Sequence, residues 1–442
     1  MDINQIHFVG IGGIGISGLA RYLQAQGVEV SGSDIAESCS TKYLRSLGVT
    51  VAIPHSRKNV ANPDLLVHSA IIKDDNVELV EAKAKNIPIL SRKDALKIIL
   101  AKKRVFSVCG AHGKSSTTAM LSAIFKDYGA IIGAESKEFG SNVRAVNSDS
   151  IVFEADESDG SFLNSNPYCA IVTNAEPEHM EHYNYDLSLF HKAYSDFLAG
   201  AKKRVFNAED DFLATLNLSA TRLYPSKDIK NIKHFLIDDE PFTEFSLYND
   251  GRFIGDFRVW GFGFYTASNA SLAILSAIDE MDSREIAQNL LNFKGIKKRF
   301  DIVYSDKNCI MIDDYAHHPT EIKSTLDSIK YYAKLKNIHK LSVIWQPHKY
   351  SRTIHNINGF VESFCGVDNL VILPVWSAYE EPIDIDFDGY FGRYAPIMAD
   401  SIHREGAGIE ILKNENILDR LDSGLIVGFG AGDITYQMRG KI

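Results

Sequence analysis

The run Val105-Phe-Ser-Val-Cys-Gly110-Ala111-His112-Gly113-Lys114-Ser115-Ser116 combines the residue types that hold a polyphosphate. Glycines let backbone N–H groups turn toward an anion, and a helix starting directly behind them adds free N–H groups and a positive dipole end. Lys114 reaches the outer phosphates from an exposed loop, and the Ser115 hydroxyl can ligate Mg2+. The full P-loop pattern has glycine six residues before the lysine; Val108 stands there, so only G-x-x-G-K-S is met. Such a loop needs a carboxylate for its metal. The apolar run Ile151-Val152-Phe153 ends in Glu154, followed by Ala155-Asp156-Glu157-Ser158-Asp159. Strand ends face the ligand crevice of an α/β sheet, which makes Glu154 the first choice as metal ligand and Glu157 the second. The next apolar run, Ala170–Thr173, leads into Asn174-Ala-Glu176-Pro-Glu178-His179. His179 is a candidate for a second divalent ion or for contact with the transferred phosphoryl group.

Two further groups carry chemistry. Near the start, Gly10-x-Gly12-x-x-Gly15 is followed by Asp34, the spacing of a dinucleotide fingerprint. NAD, FAD and a UDP-sugar all offer a pyrophosphate and a ribose, and the motif does not choose among them. In the last third, Asp313-Asp314-Tyr-Ala-His317-His318-Pro-Thr-Glu321, Gln346-Pro-His348-Lys349-Tyr-Ser-Arg352-Thr and Gly430-Ala-Gly-Asp433 each follow an apolar run, with Lys297-Lys298-Arg299 upstream. Cationic groups at strand ends suit an anionic substrate.

The elements that must position these groups read as α/β throughout. Strands are expected at Ile6–Val9, Val28–Ser31, Leu65–Ser69 and Ile87–Leu90, then at Val105–Cys109, Ile151–Glu154 and Ala170–Thr173. Asn249-Asp250-Gly251 between Phe245–Tyr248 and Phe253–Phe257 predicts a hairpin. Helices are expected over Ser115–Lys126, Asn269–Met281 and Arg284–Phe293, and a last doubly wound sheet over Ile310–Asp313, Leu341–Trp345, Leu370–Pro374 and Leu425–Phe429. A length of 442 residues fits two or three domains. The basic runs at Lys102 and Lys297 divide it into 1–102, 103–295 and 296–442.

A net charge of −10 gives no broad positive field, so no nucleic-acid partner is expected. The five cysteines form no C-x-x-C pair and read as buried small hydrophobes of a reducing compartment. The glycine-punctuated N-terminus reads as a loop entering a helix, not a signal peptide, and no apolar run is long enough to span a membrane.

Taken together, Gly-Ile-Gly-Gly-Ile-Gly, Gly-Ala-His-Gly-Lys-Ser, Glu-Ala-Asp-Glu-Ser-Asp, Asn-Ala-Glu-Pro-Glu-His, Asp-Asp-Tyr-Ala-His-His-Pro-Thr-Glu and Gln-Pro-His-Lys-Tyr-Ser-Arg-Thr resemble the Mur ligases, in the family's order and across nearly the whole chain. The resemblance is strongest to the branch that adds a single amino acid; the branch that attaches a whole murein peptide to the same sugar is the alternative. It implies an N-terminal Rossmann-like domain for UDP-N-acetylmuramate, a central P-loop ATPase domain and a C-terminal Rossmann-like domain. It further implies a cytoplasmic enzyme, monomeric or weakly homo-oligomeric, that uses ATP and two Mg2+ ions to join L-alanine to the lactyl carboxylate through an acyl phosphate. Carried over by position, Gly110, Ala111, His112, Gly113, Lys114, Ser115 and Ser116 form the ATP loop. Ser115, Glu154 and His179 match the metal ligands, Asn269 stands near adenine, and Arg299 and Asp313 match ATP contacts of the third domain. Gly12, Gly13, Gly15, Ser17, Asp34 and Ser69 would line the UDP-sugar pocket. His318, Lys349 and Arg352 would face the acceptor or the transferred phosphate. Tyr265 and Thr266 depart from the family's usual His-Asn, and Lys349 replaces an arginine.

Overall fold

The computed structural model describes residues 3–441 apart from 159 and 379. Asp159, the last acid of the run after Glu154, therefore lies outside the described residues. By internal compactness the chain divides into two units: residues 1–231, 245–258 and 268–294 form one, and 232–244, 259–267 and 295–442 the other.

The first unit holds two sheets. β1 (Gln5–Val9), β2 (Glu29–Ser33), β3 (Thr50–Ala52), β4 (Leu65–His68) and β5 (Ile89–Ser91) form a parallel sheet in the order β3-β2-β1-β4-β5. Strand order reverses at β1, so the crevice beyond its end lies between β1 and β4, where doubly wound sheets bind ligands. Gly10 turns there at φ +81°, and α1 (Ile14–Ala25) begins four residues later. The second sheet runs β12 (Thr221–Leu223), β11 (Lys203–Asn207), β10 (Pro167–Val172), β6 (Arg104–Cys109), β9 (Ser150–Glu154), β7 (Gly129–Ser136) and β8 (Ser141–Arg144), with only β8 antiparallel to its neighbour. β6 is thus central, and Val105–Cys109 are buried, which explains why they are apolar apart from Ser107. A shared apolar core runs from Ile6 and Phe8 of the first sheet to Phe153, Phe197 and Phe206 of the second.

β13 (Ile229–Ile237), β14 (Glu240–Asn249) and β15 (Arg252–Trp260) form a three-stranded sheet. The expected hairpin is present, with Asp250 and Gly251 both at positive φ (+48° and +76°), the turn that matches strand twist. In the second unit β16 (Asp301–Ser305), β17 (Cys309–Asp314), β18 (Leu341–Trp345), β19 (Asn369–Ile372), β20 (Ile397–Met398) and β24 (Gly424–Phe429) are ordered β16-β17-β24-β18-β19-β20, and β21 (Ser401–Glu405), β22 (Gly408–Lys413) and β23 (Asn416–Leu421) make a separate antiparallel sheet.

Several expectations are corrected. The helix expected from Asn269 to Met281 spans Phe264–Ala277. Its first turn is aromatic and β-branched, poor by propensity; the left-handed turn at Gly261 and Gly263 and hydrogen bonds onto the Phe262 carbonyl from Thr266 and Ser328 set its start instead. The strands β3, β7, β8, β11–β13, β16 and β20–β23 lie outside the expected set: most are short, edge or polar, and the apolar Ala130-Ile131-Ile132 of β7 is bounded by glycines on both sides. Cys39 and Cys365 are exposed, whereas Cys109, Cys169 and Cys309 are buried as expected. Among the described residues, no helix is long and apolar enough to cross a membrane.

Candidate active site

Parallel register builds the central cluster. Val108 of β6 pairs with Glu154 of β9, and Cys109 with Val172 of β10, so the glycine turn, the acid and Thr173 leave the sheet side by side. Gly110 (φ +132°) and Gly113 (φ +81°) both need glycine: a side chain at Gly110 would stand 2.1 Å from Thr173 Oγ1, and one at Gly113 2.7 Å from Asn269 Oδ1. Asn269 therefore packs against the loop. The loop is held by Asn174, whose Oδ1 accepts from the His112 N–H at 3.1 Å and whose Nδ2 donates to the His112 carbonyl at 2.9 Å, while His112 Nε2 lies 2.8 Å from Glu176. Helix Lys114–Ile124 starts at Gly113, presenting its N-terminus to the turn.

Lys114 does not stand on an exposed loop as expected. Its side chain is 17% exposed, and Nζ donates to the carbonyls of Gly110 (2.6 Å) and Ala111 (3.2 Å) and to Glu157 Oε1 (2.8 Å). Burial would lower the Lys114 ammonium, but Glu157, Glu154 and Asp156 hold its pKa above the ordinary value. Burial pushes the Glu157 carboxyl up to about 7 against the pull of Lys114. Ser115 Oγ donates to Glu154 Oε1 at 2.9 Å, and Glu154 Oε2 accepts from the Gly133 N–H at 2.6 Å. Glu157 Oε2 is buried and, among the described residues, has no hydrogen-bond partner. The Ser115 hydroxyl and the Glu154 carboxylate that it meets are hard oxygen donors, which fit Mg2+. His179 lies in the left-handed region (φ +52°), with Nδ1 3.7 Å from Glu181.

At the first sheet, Asp34 is turned into the glycine loop. Its Oδ2 accepts from the Gly12 N–H at 2.8 Å, and a side chain at Gly12 would stand 2.9 Å from that oxygen. Ser69 faces Gly10, whose added side chain would meet Ser69 Cβ at 3.1 Å. Gly12, Gly13, Gly15, Asp34 and Ser69 thus gather at one sheet edge, while Ser17 is buried on α1.

In the second unit, alternation along β17 sends two neighbouring acids opposite ways. Asp313 accepts from Thr435 Oγ1 (2.6 Å) and Arg439 Nε (2.9 Å). Asp314 accepts from the Phe300 N–H (2.7 Å) and the Ala316 N–H (2.8 Å), which holds the segment bearing Arg299. Burial raises Asp314 to about 6 although Arg299 pulls it down. Arg299 Nη1 lies 3.6 Å from Glu321. His318 precedes helix Pro319–Leu335, and Lys349 (φ +68°) precedes helix Tyr350–His355. Arg352 Nη1 is 3.3 Å from His348 Nδ1, and the His317 and His348 rings are 5.5 Å apart. Burial and the charges of His317, Arg352 and Lys349 push His348 down to about 4, so it is neutral at pH 7. Sequence reading overlooked Asp314 and His348 as individual residues and ranked Glu157 second; strand alternation was the available signal for Asp314.

A nucleotide-type loop on each of two parallel sheets, followed by a third α/β sheet with cationic strand ends, defines the class. Residues 5–104 match the Mur ligase family catalytic domain, 108–277 the Mur ligase middle domain and 298–386 the Mur ligase glutamate ligase domain. The chain belongs to the Mur ligase family and has its three-domain α/β architecture. Within it, the chain is 58% identical over 441 residues to the UDP-N-acetylmuramate–L-alanine ligase of Helicobacter pylori strain P12, covering 99% of this chain and 97% of that protein. It is 55% identical over 438 residues to the ligase of the same name from Campylobacter curvus, covering 99% and 100%. The solved UDP-N-acetylmuramate-alanine ligase MurC of Thermotoga maritima superposes with a TM-score of 0.78 at 27% identity, covering 99% of this chain and 98% of that one.

Proposed function

We propose that this chain is a cytoplasmic ligase that uses ATP to join L-alanine to the lactyl carboxylate of UDP-N-acetylmuramate, yielding ADP and phosphate, in assembly of the peptidoglycan precursor. The observation that carries this reading is full-length identity of 58% to a ligase of that name in a chain whose Lys114, Ser115 and Glu154 surround a phosphate-type turn. Carboxylates do not react with amines directly because hydroxide is a poor leaving group. Transfer of the γ-phosphoryl group gives an acyl phosphate; the L-alanine amine adds to its carbonyl, and the tetrahedral intermediate expels phosphate.

In this reading Gly110–Ser116 bind the phosphates, and Lys114 leaves its own loop carbonyls to neutralise charge growing on the γ-phosphoryl group. Ser115, Glu154 and His179 hold magnesium, which when bound offsets phosphate charge. Asn269 and Arg299 contact ATP, and Asp314 rather than Asp313 keeps the Arg299 segment in place. Gly12, Gly13, Gly15, Asp34 and Ser69 receive the UDP-sugar, and His318, Lys349 and Arg352 serve the acceptor side. Domain boundaries at 102/103 and 295/296 suit these roles.

The test is phosphate release from ATP with UDP-N-acetylmuramate, scanned across L-alanine, glycine, L-serine and a cell-wall tripeptide. Release that is greatest with L-alanine is expected. Release with the tripeptide alone would assign peptide recycling instead, and none at all would overturn the ligase reading.

A further inference from the structure

The two loops that carry Glu154 and His179 do not leave neighbouring strands. Glu154 ends β9 and His179 follows β10, while β6, which feeds the phosphate turn, lies between them and pairs with each. Strands sit about 4.8 Å apart, so the two loops start roughly 10 Å from each other with no ladder in common. Tyr183 joins them. Its hydroxyl donates to the Glu157 carbonyl at 2.7 Å, a bond from the loop after β10 to the loop after β9. The same carbonyl accepts from the Gly160 N–H at 3.1 Å, which closes the turn behind Glu157.

Tyr183 is built to hold that distance. It is 6% exposed, and its ring stands edge-on to Phe190 with centroids 5.1 Å apart, so the core fixes the ring. It also lies one turn from His179. His179 opens the short 3-10 helix Met180–Tyr183, and its carbonyl accepts from the His182 N–H at 3.0 Å. His179 is left-handed at φ +52°, as are Asn184 (+55°) and Tyr185 (+57°) on the far side of the turn. Residues with a Cβ enter that region at a cost and persist there where their surroundings over-determine the backbone. The N–H groups of Tyr185 and Asp186 donate back to the carbonyls of Met180 (2.8 Å) and Tyr183 (2.9 Å), and the Tyr183 hydroxyl pins the turn to the acidic loop.

Resting on the ligase reading, in which Glu154 and His179 hold magnesium, we propose that Tyr183 is a positioning residue whose bond to the Glu157 carbonyl sets the reach of His179 relative to Glu154 across the phosphate turn. Mg2+ demands near-ideal octahedral geometry, so two ligands on separate loops serve it only if their spacing is held. Contacts that orient metal ligands typically carry about 10- to 100-fold of metal affinity. The hydroxyl acts through the backbone, and removing it leaves both ligand side chains in the protein.

The test is Mn2+ titrated into the full-length protein with a non-hydrolysable ATP analogue, followed by electron paramagnetic resonance, in wild type, Tyr183→Phe, His179→Ala and the double variant. Tyr183→Phe keeps the buried ring, and its melting temperature should stay within a few degrees of wild type. Its Mn2+ affinity should fall about 10- to 100-fold, while its affinity for the analogue at saturating Mn2+ stays within about twofold. Because Tyr183 acts through His179, the double variant should bind Mn2+ as weakly as His179→Ala and no more weakly. Unchanged Mn2+ affinity in Tyr183→Phe, an equal loss for the analogue, or losses that add in the double variant would overturn the assignment while leaving the ligase reading intact. Wild-type protein that takes up no Mn2+ beyond that held by the analogue itself would overturn the magnesium role of Glu154 and His179 together with it.

Discussion

The ammonium of Lys114 donates to Glu157 Oε1 at 2.8 Å, and the accepting side chain is 2% exposed. Breaking a buried pair from one side costs about 3–5 kcal/mol, because the remaining charge stays desolvated. Protonation of Glu157, already raised to about 7 by burial, relieves part of that cost. Lys114→Ala should therefore lose turnover and also several degrees of melting temperature. Lys114→Met combined with Glu157→Gln should regain the melting temperature but not the turnover. An unchanged melting temperature in the single variant would contradict the pairing.

Glu154 accepts from Ser115 through Oε1 and from the Gly133 backbone through Oε2; in a glutamine the amide oxygen can keep the Gly133 N–H while the amide NH2 donates to the Ser115 hydroxyl. Glu154→Gln should fold normally but lose the anionic ligand. Turnover should fall roughly 100-fold or more, as when groups aimed at phosphoryl charge are removed. Excess magnesium should recover part of it. Full activity at low magnesium would remove Glu154 from the metal site.

Asp34 anchors the Gly12 N–H, so Asp34→Ala frees the first glycine turn without touching the second. The KM for UDP-N-acetylmuramate should rise about tenfold, one lost charge-assisted bond, with the KM for ATP unchanged. Equal rises in both constants would show a general loss of structure.

Asp313 and Asp314 separate stability from activity. Asp313→Asn loosens Arg439 and should lower the melting temperature with activity largely kept. Asp314→Asn leaves one acceptor for the two N–H groups of Phe300 and Ala316 and should lower the ATP-dependent rate through the Arg299 segment. The reverse pattern would restore Asp313 as the ATP-side residue.

Glu78 is buried on the first sheet, bonded by Ser33, His7, Asn59 and the Ser56 N–H. Burial raises its carboxyl, but those donors outweigh it and bring it down to about 2. A depressed carboxylate stabilises the fold above its unfolded value and loses that contribution as pH falls from about 4.5 to 2. The contribution is on the order of 3 kcal/mol, at 1.36 kcal/mol per unit. Acid unfolding followed by circular dichroism should be steep in that window for wild type and shallower for Glu78→Gln. Identical slopes would refute the assignment.

What the residues determined by themselves was local. A strand, a glycine turn and a helix in immediate succession specify a phosphate-type loop wherever they occur, because backbone sterics and helix dipoles act over a few residues. The apolar runs at Val105–Cys109, Ile151–Phe153 and Leu425–Phe429 marked buried parallel strands for the same reason. The order of the motifs pointed to the family. Tertiary structure alone decided which partners those groups meet. Pairing of β6 with β9 put Glu154 beside Ser115, and burial turned Lys114 onto Glu157. The pleat of β17 split Asp313 from Asp314, and the turn after β10 brought Tyr183 to Glu157 across 26 residues. Sheet pairing and burial are long-range, and no spacing along the chain encodes which distant charge will share a desolvated site.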